Sequence, residues 1–212
     1  MLKINEIYYS VQGESSKAGL PCIFIRLTYC NLRCSYCDTE YAFYDGLDKS
    51  IDEIMAEVKR YNCNLVEITG GEPLFQKECN ELITRLCDEG FEVMLETGGS
   101  LPINNIDNRV MIIMDLKCPS SKMMKKNLYE NIGEIKPTDE IKFVIGKRED
   151  YEWSKKIILK YNLTEKCGIL FSAVFGELEP VVLVNWILED NLKVRYQLQM
   201  HKIIWHPETK GV

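Results

Sequence analysis

The stretch Cys30-Asn31-Leu32-Arg33-Cys34-Ser35-Tyr36-Cys37 puts three thiols into eight residues, at the spacing C-x3-C-x2-C. A loop of this kind can wrap a cubane iron–sulfur cluster, whose irons take thiolates converging on one small object. Three thiolates leave one of four irons unligated, and chemistry can happen at that vacancy. Two plainer readings compete. A zinc site wants a fourth thiolate or a histidine, and only His201 and His206 exist, both far away in sequence. Chance packing fits poorly, because Asn31, Arg33, Ser35 and Asp38 surround the thiols with polarity. Tyr36, just before Cys37, can shield a cluster from water.

Upstream of the loop, residues 22–28 form an apolar run, and further runs or alternations lie at 65–69, 92–96, 110–114, 140–145 and 168–172. Lys3–Val11 and the alternating 195–200 segment are additional strand candidates. Helical patterns fall between several of them. Ser50 with Glu53 predicts a capping box ahead of Ile51, Ile54, Met55 and Val58. Cys79, Leu82, Ile83 and Leu86 repeat the pattern, and Gly90 closes it. Asp150–Tyr161 and Val181–Glu189 are further helices, while the link from 110–114 to 140–145 carries a weaker helical signal. Strands alternating with helices predict an α/β fold with a parallel sheet. Six core strands are too few for a closed eight-stranded barrel, so a partial TIM-type barrel is expected, with its site at the C-terminal strand ends. The cysteine loop leaves strand 22–28 at that end.

The totals exclude several function classes. A chain of 212 residues with net charge -6 suits one domain spanning 1–212 and disfavours nucleic acid or an anionic membrane as partner. No apolar run spans a bilayer, and Met1–Glu6 does not read as a signal peptide. Nine cysteines without a leader point to a reducing, cytoplasmic setting. Cys22, Cys63, Cys79, Cys87, Cys118 and Cys167 are scattered and read as buried small hydrophobes.

Further motifs fall at the expected rim. Thr69-Gly70-Gly71-Glu72-Pro73 follows strand 65–69: two glycines let a ligand approach the backbone, and Glu72 can accept from an amine. Taken alone it is an ordinary turn. Together with the cysteine triplet it resembles the radical S-adenosylmethionine superfamily. That resemblance implies a 4Fe–4S cluster on Cys30, Cys34 and Cys37. It also implies S-adenosylmethionine on the open iron and a 5′-deoxyadenosyl radical formed by reductive cleavage.

Other segments narrow the family. Gln12-Gly13-Glu14 either makes a turn or meets a guanidine-like edge with donors and acceptors. Arg26 in an apolar strand needs a partner, either a structural carboxylate or a carboxylated ligand. Thr39 either caps the next segment or offers its hydroxyl to a hard cation. Glu96-Thr97-Gly98-Gly99 and Asp115-Leu116-Lys117-Cys118-Pro119-Ser120 end strands, as loop punctuation or as site residues. Taken with the tail Gln199–Trp205 and Lys210-Gly211-Val212, these pieces are similar to the 7-carboxy-7-deazaguanine synthase family over essentially the whole chain. Ser15 departs from that family's usual Gln-Gly-Glu-Gly, and Asp115 stands where relatives can carry serine.

The resemblance implies ring contraction of 6-carboxy-5,6,7,8-tetrahydropterin with loss of ammonia, with S-adenosylmethionine regenerated. It implies pterin contacts at Val11, Gln12, Gly13, Glu14, Arg26, Thr97 and the carboxylate of Val212. S-adenosylmethionine would be lined by Tyr36, Cys37, Asp38, Gly71, Glu72, Gly99, Asp115, Leu116, Lys117, Ser172, Ala173, Val174 and Phe175, and Mg2+ would sit on Thr39. His201 is a lid or substrate contact, or a structural link between strand and tail. A flavodoxin or ferredoxin-type reductant and a homodimer are implied partners. Two rivals are an activase of a glycyl-radical enzyme, which needs a protein-docking groove, and a non-catalytic zinc scaffold.

Overall fold

A computed structural model describes residues 1–212. Nine strands make one sheet: β1 (Leu2–Val11), β2 (Pro21–Leu27), β3 (Leu47–Lys49), β4 (Leu65–Gly70), β5 (Glu92–Thr97), β6 (Met111–Asp115), β7 (Glu140–Ile145), β8 (Gly168–Ala173) and β9 (Arg195–Tyr196). Their order is β3-β1-β2-β4-β5-β6-β7-β8-β9. The six expected core strands, β2 and β4 to β8, pair in parallel. β9 adds a short seventh, and β1 and β3 are antiparallel additions at the other edge. The sheet does not close, so the architecture is a partial barrel.

The helices are α1 (Ile51–Val58), α2 (Cys79–Asp88), α3 (Arg148–Tyr161), α4 (Pro180–Glu189) and α5 (His201–Ile204). The Ser50–Glu53 capping box is present in both directions. α4 begins one residue earlier than expected because Pro180 suits the first helical position, where its missing N–H costs nothing. The link between β6 and β7 contains no α-helix. It winds through 3-10 turns at Pro119–Ser121, Met124–Lys126 and Tyr129–Gly133. The alternation at 195–200 forms a strand only over Arg195–Tyr196, and the chain then turns into α5. β9 is the edge strand, so the alternation has β8 on one side and no second neighbour to pair with.

Each parallel strand has two faces, since side chains alternate with period two. Ile23, Ile25, Val66, Ile68, Val93, Leu95, Ile112, Met114, Ile141 and Phe143 belong to the main core with residues of α1, α2 and α3. Burying each such side chain is worth about 1.5–3 kcal/mol. The other face is graded along its length. Cys22, Phe24, Leu65, Met94 and Ile113 form a small apolar layer, and Arg26, Glu67, Thr69, Glu96, Asp115 and Lys142 follow toward the C-terminal ends. No helix is long and apolar enough to cross a membrane.

Candidate active site

The polar layer opens into a cavity of about 780 Å³ at the C-terminal strand ends. Phe24 and Ile113 reach it from the apolar layer, the cysteine loop forms one wall, and the tail Pro207–Val212 another. All three predicted cluster cysteines border it, each half-buried and none disulfide-bonded. Burial raises the thiols of Cys30 and Cys34, the latter to about 11, while the Lys117 ammonium pulls both down.

The loop is built onto the β4 turn. Tyr29, just beyond β2, takes a left-handed φ of 75, and its carbonyl accepts from Glu72 N at 2.8 Å. A Cβ on Gly70 would collide with the Leu27 backbone, and one on Gly71 with the Tyr29 carbonyl. The glycine pair therefore admits the backbone that carries the cysteines, which the sequence had suggested for a ligand. Gly71→Ala is expected to cost about 1–3 kcal/mol of stability through overpacking and to lower iron uptake. Chemical denaturation with iron analysis checks this, and unchanged values would contradict the backbone contact.

Gln12 and Glu14 meet charged groups that the sequence reading did not connect with them. The Gln12 amide donates to Glu67 Oε2 and accepts from Glu14 N at 3.0 Å. Glu14 pairs with Lys142 Nζ at 2.9 Å and accepts from Gln199 Nε2 at 3.0 Å. Lys142 also pairs with Glu96, whose other oxygen accepts from Thr69 Oγ1 at 3.1 Å. Ser15 adopts φ 64, a left-handed conformation that glycine takes without strain. Its hydroxyl accepts from Lys17 N at 3.1 Å, which helps a non-glycine residue hold that turn. The departure thus leaves Gln12 and Glu14 facing the cavity.

Burial, with neighbouring Glu96, pushes the Glu67 carboxyl up to about 8. Burial acts on Glu96 the same way, but Lys142 beside it wins and lowers it. A carboxyl raised on folding stabilises the fold while protonated. Its contribution therefore fades as pH climbs from 4.5, its ordinary value, through about 8. Glu67→Gln cannot ionise, so its melting temperature should rise relative to wild type more near pH 9 than near pH 5. A gap that does not widen in calorimetry contradicts the burial argument.

Both readings of Arg26 have support. Its Nε pairs with Glu6 at 2.7 Å and an Nη2 hydrogen bonds Tyr8 Oη at 2.9 Å, yet the side chain borders the cavity. Two of five guanidinium N–H bonds are used, leaving three. Tyr41, also donating to Glu6 at 3.0 Å, closes that corner. Thr39 stands at the N-cap of the 3-10 turn Glu40–Phe43 without making a side-chain cap bond. Its Oγ1 lies 3.7 Å from Cys37 Sγ, on the cavity wall. Asp38 pairs with Lys202 at 2.6 Å, tying the cysteine loop to α5. His201 packs its ring against Gly13 and lines the cavity, and burial keeps it toward the neutral form.

Comparison with known proteins agrees with this arrangement. The model of the radical SAM superfamily matches residues 24–162. A 7-carboxy-7-deazaguanine synthase of Chlorobaculum tepidum is 48% identical over 100% of this chain and 97% of its own. That of Koribacter versatilis is 46% identical over the full length of both chains. The chain belongs to the 7-carboxy-7-deazaguanine synthase family. The crystal structure of QueE from Escherichia coli shares its fold, with a TM-score of 0.76 over 92% of this chain and 93% of that one at 22% identity.

Membership in this radical SAM family implies a 4Fe–4S cluster and S-adenosylmethionine, and the donors present fit both. Three free thiols of one loop face one cavity. On its wall Tyr36 Oη and Asp115 Oδ1 are buried without partners, the kind of orphaned polar atoms a bound ligand satisfies. Of the other expected S-adenosylmethionine contacts, Asp38, Gly71, Lys117, Val174 and Phe175 border the cavity. Glu72, Gly99, Leu116, Ser172 and Ala173 are not among its lining. Leu116 is fully buried in the core. Glu72 is buried beneath Gly98, accepting from Gly98 N at 2.8 Å, Thr97 Oγ1 at 2.9 Å and Leu74 N at 3.2 Å. Thr97 reaches the cavity wall with its hydroxyl committed to Glu72. Of the expected pterin contacts, Val11, Gln12, Gly13, Glu14, Arg26 and Val212 all border the cavity. Glu6, Tyr8, Glu67, Tyr41 and Lys142 were missed. Glu67 and Lys142 carried a legible signal, a charge at alternate positions of an apolar strand.

Proposed function

We propose that the protein converts 6-carboxy-5,6,7,8-tetrahydropterin to 7-carboxy-7-deazaguanine with loss of ammonia, a step in making queuosine and related 7-deazapurines. The observation that carries this is the convergence of Gln12, Glu14 and Arg26 on the cavity that the three cysteines border. A glycyl-radical activase needs an open groove for a protein. Here the tail and charged floor line a cavity of about 780 Å³, a size that suits a small molecule.

The cluster and S-adenosylmethionine, when bound, supply hydrogen-atom abstraction. The chain's residues bind and orient. Gln12 keeps one N–H and one lone pair, and Glu14 is held in place by Lys142 and Gln199, so the pair suits the guanidine-like edge of a pterin. The free N–H bonds of Arg26 suit a carboxylate. Thr97 and the Val212 carboxylate complete the pterin pocket. Thr39 Oγ1, uncommitted to a cap, would hold Mg2+, which would supply positive charge to the substrate carboxylate. Glu67 holds a proton near neutral pH, which a departing ammonia requires. Tyr36, Asp38, Gly71, Asp115, Lys117, Val174 and Phe175, which border the cavity, are the S-adenosylmethionine contacts. The whole chain acts as one domain, as a cytoplasmic homodimer reduced by a flavodoxin or ferredoxin.

The test is anaerobic incubation of the reconstituted protein with the pterin, S-adenosylmethionine, Mg2+ and dithionite, followed by mass analysis. Absence of the deazaguanine from a sample with four irons per chain would sink the reading. In the same assay Arg26→Ala should raise the KM for pterin roughly 10- to 100-fold, for charge-assisted bonds worth about 1.5–3 kcal/mol. Cluster content should stay normal, and its loss would make Arg26 a structural residue.

A further inference from the structure

The segment Leu116–Tyr129 carries four lysines and no carboxylate, in a chain whose net charge is -6. Lys117 turns inward and pairs with Asp115 at 2.8 Å. Lys122, Lys125 and Lys126 are exposed, with no carboxylate within 4.0 Å. The first acid beyond them is Glu130, in the next turn. Half-buried Met123 and Met124 lie between them, an apolar element among charges.

This segment is fastened to the cysteine loop. Ser35, between Cys34 and Cys37, donates its N–H to Ser121 O at 3.1 Å and its hydroxyl to Ser120 O at 2.6 Å. At the far end Asn127 clamps Lys117, accepting from its N–H at 2.9 Å and donating to its carbonyl at 3.0 Å. Ser120 N is held by Asp150 at 2.8 Å, and the Ser121 hydroxyl bridges Cys118 O and Met123 N. The lysines therefore ride on a turn braced from three sides.

We propose that Lys122, Lys125 and Lys126 form the docking face for an acidic one-electron carrier protein that reduces the cluster. The inference rests on the family's redox cluster and not on the pterin as substrate. The carrier gives up one electron and the oxidised cluster gains it, with no proton or group transferred. An acidic surface brought to this face arrives beside the loop that holds the cluster, and opposite charges steer the encounter. The acidity of the rest of the chain opposes an extended polyanion such as nucleic acid, and it repels an acidic carrier from other faces.

The experiment uses the full-length reconstituted protein and a bacterial flavodoxin as probe. Calorimetric titration gives the affinity, and stopped-flow bleaching of the cluster gives its reduction rate by photoreduced flavodoxin and, separately, by dithionite. Lys122→Glu/Lys125→Glu/Lys126→Glu should weaken flavodoxin binding and slow flavodoxin-driven reduction at least about tenfold at low ionic strength. The corresponding triple glutamine variant should fall between. Wild-type affinity should drop as salt rises past 0.1 M, where screening acts within about 10 Å. Dithionite reduction should be unchanged. Equal affinity in wild type and both variants, or salt-independent binding, overturns the proposal. So does an equal loss of dithionite-driven reduction, which would make the lysines a support of the cluster loop. None of these readouts requires pterin turnover, so failure of the substrate reading is seen separately.

Discussion

Cys34→Ala is expected to abolish product formation and cluster assembly while leaving the apoprotein folded. Two thiolates cannot hold the cubane that three corners hold, and no substitute is at hand. Cys118 is fully buried, against Ser154 at 3.5 Å. Cys34 is the informative choice of the three. Cys30 Sγ accepts from Leu32 N at 3.4 Å, and Cys37 Sγ faces Thr39, so replacing either also disturbs the loop or the proposed cation. Iron analysis and visible absorbance after anaerobic reconstitution, with circular dichroism of the apoprotein, separate the outcomes. Normal iron content in the variant would remove Cys34 from the cluster. A collapsed apoprotein would make its role structural.

Lys142→Met should destabilise the protein by about 3 kcal/mol, the low end for breaking a buried ion pair, because Lys142 is buried while Glu14 and Glu96 are half-buried. Burial alone would lower the Lys142 pKa, but Glu14 and Glu96 overcome it and hold the ammonium charged well above its ordinary range. Because the folded pKa is raised, this stabilisation is fully present through neutral pH and is lost only in strong alkali. In the variant, Glu96 loses the ammonium that holds its carboxyl low and can relieve the strain by taking up a proton. The deficit should therefore be larger near pH 8 than near pH 5. Glu14 also loses its anchor, so the KM for pterin should rise. Urea denaturation at the two pH values is the measurement. A deficit below about 1 kcal/mol at pH 8 would mean that the pair is solvated and screened like a surface one.

Particular residues show how far the chain could be read before folding. The core strands were legible because their outward faces are continuously apolar, as in Ile23 and Ile25 or Ile141 and Phe143. α1 was legible because its cap is local chemistry within four residues. The segment between β6 and β7 was less so, because 3-10 turns lack the longer period that marks an α-helix. Glu6 and Tyr41 were invisible as site residues. Their importance comes from meeting Arg26 across β1 and a loop, and nothing in their own neighbourhoods marks it.

The sequence by itself determined the family, the parallel α/β architecture and the three candidate cluster thiols, because each is written in short-range spacing. Tertiary structure alone decided what the remaining charged residues face. It set Lys142 between Glu14 and Glu96 and brought Glu67 under Gln12. It also gave the glycine pair of β4 to the backbone of the cysteine loop. The physical reason is that a buried charge or a close backbone approach is a relation between distant segments. Its energy depends on which partner the fold supplies and how much water the fold removes.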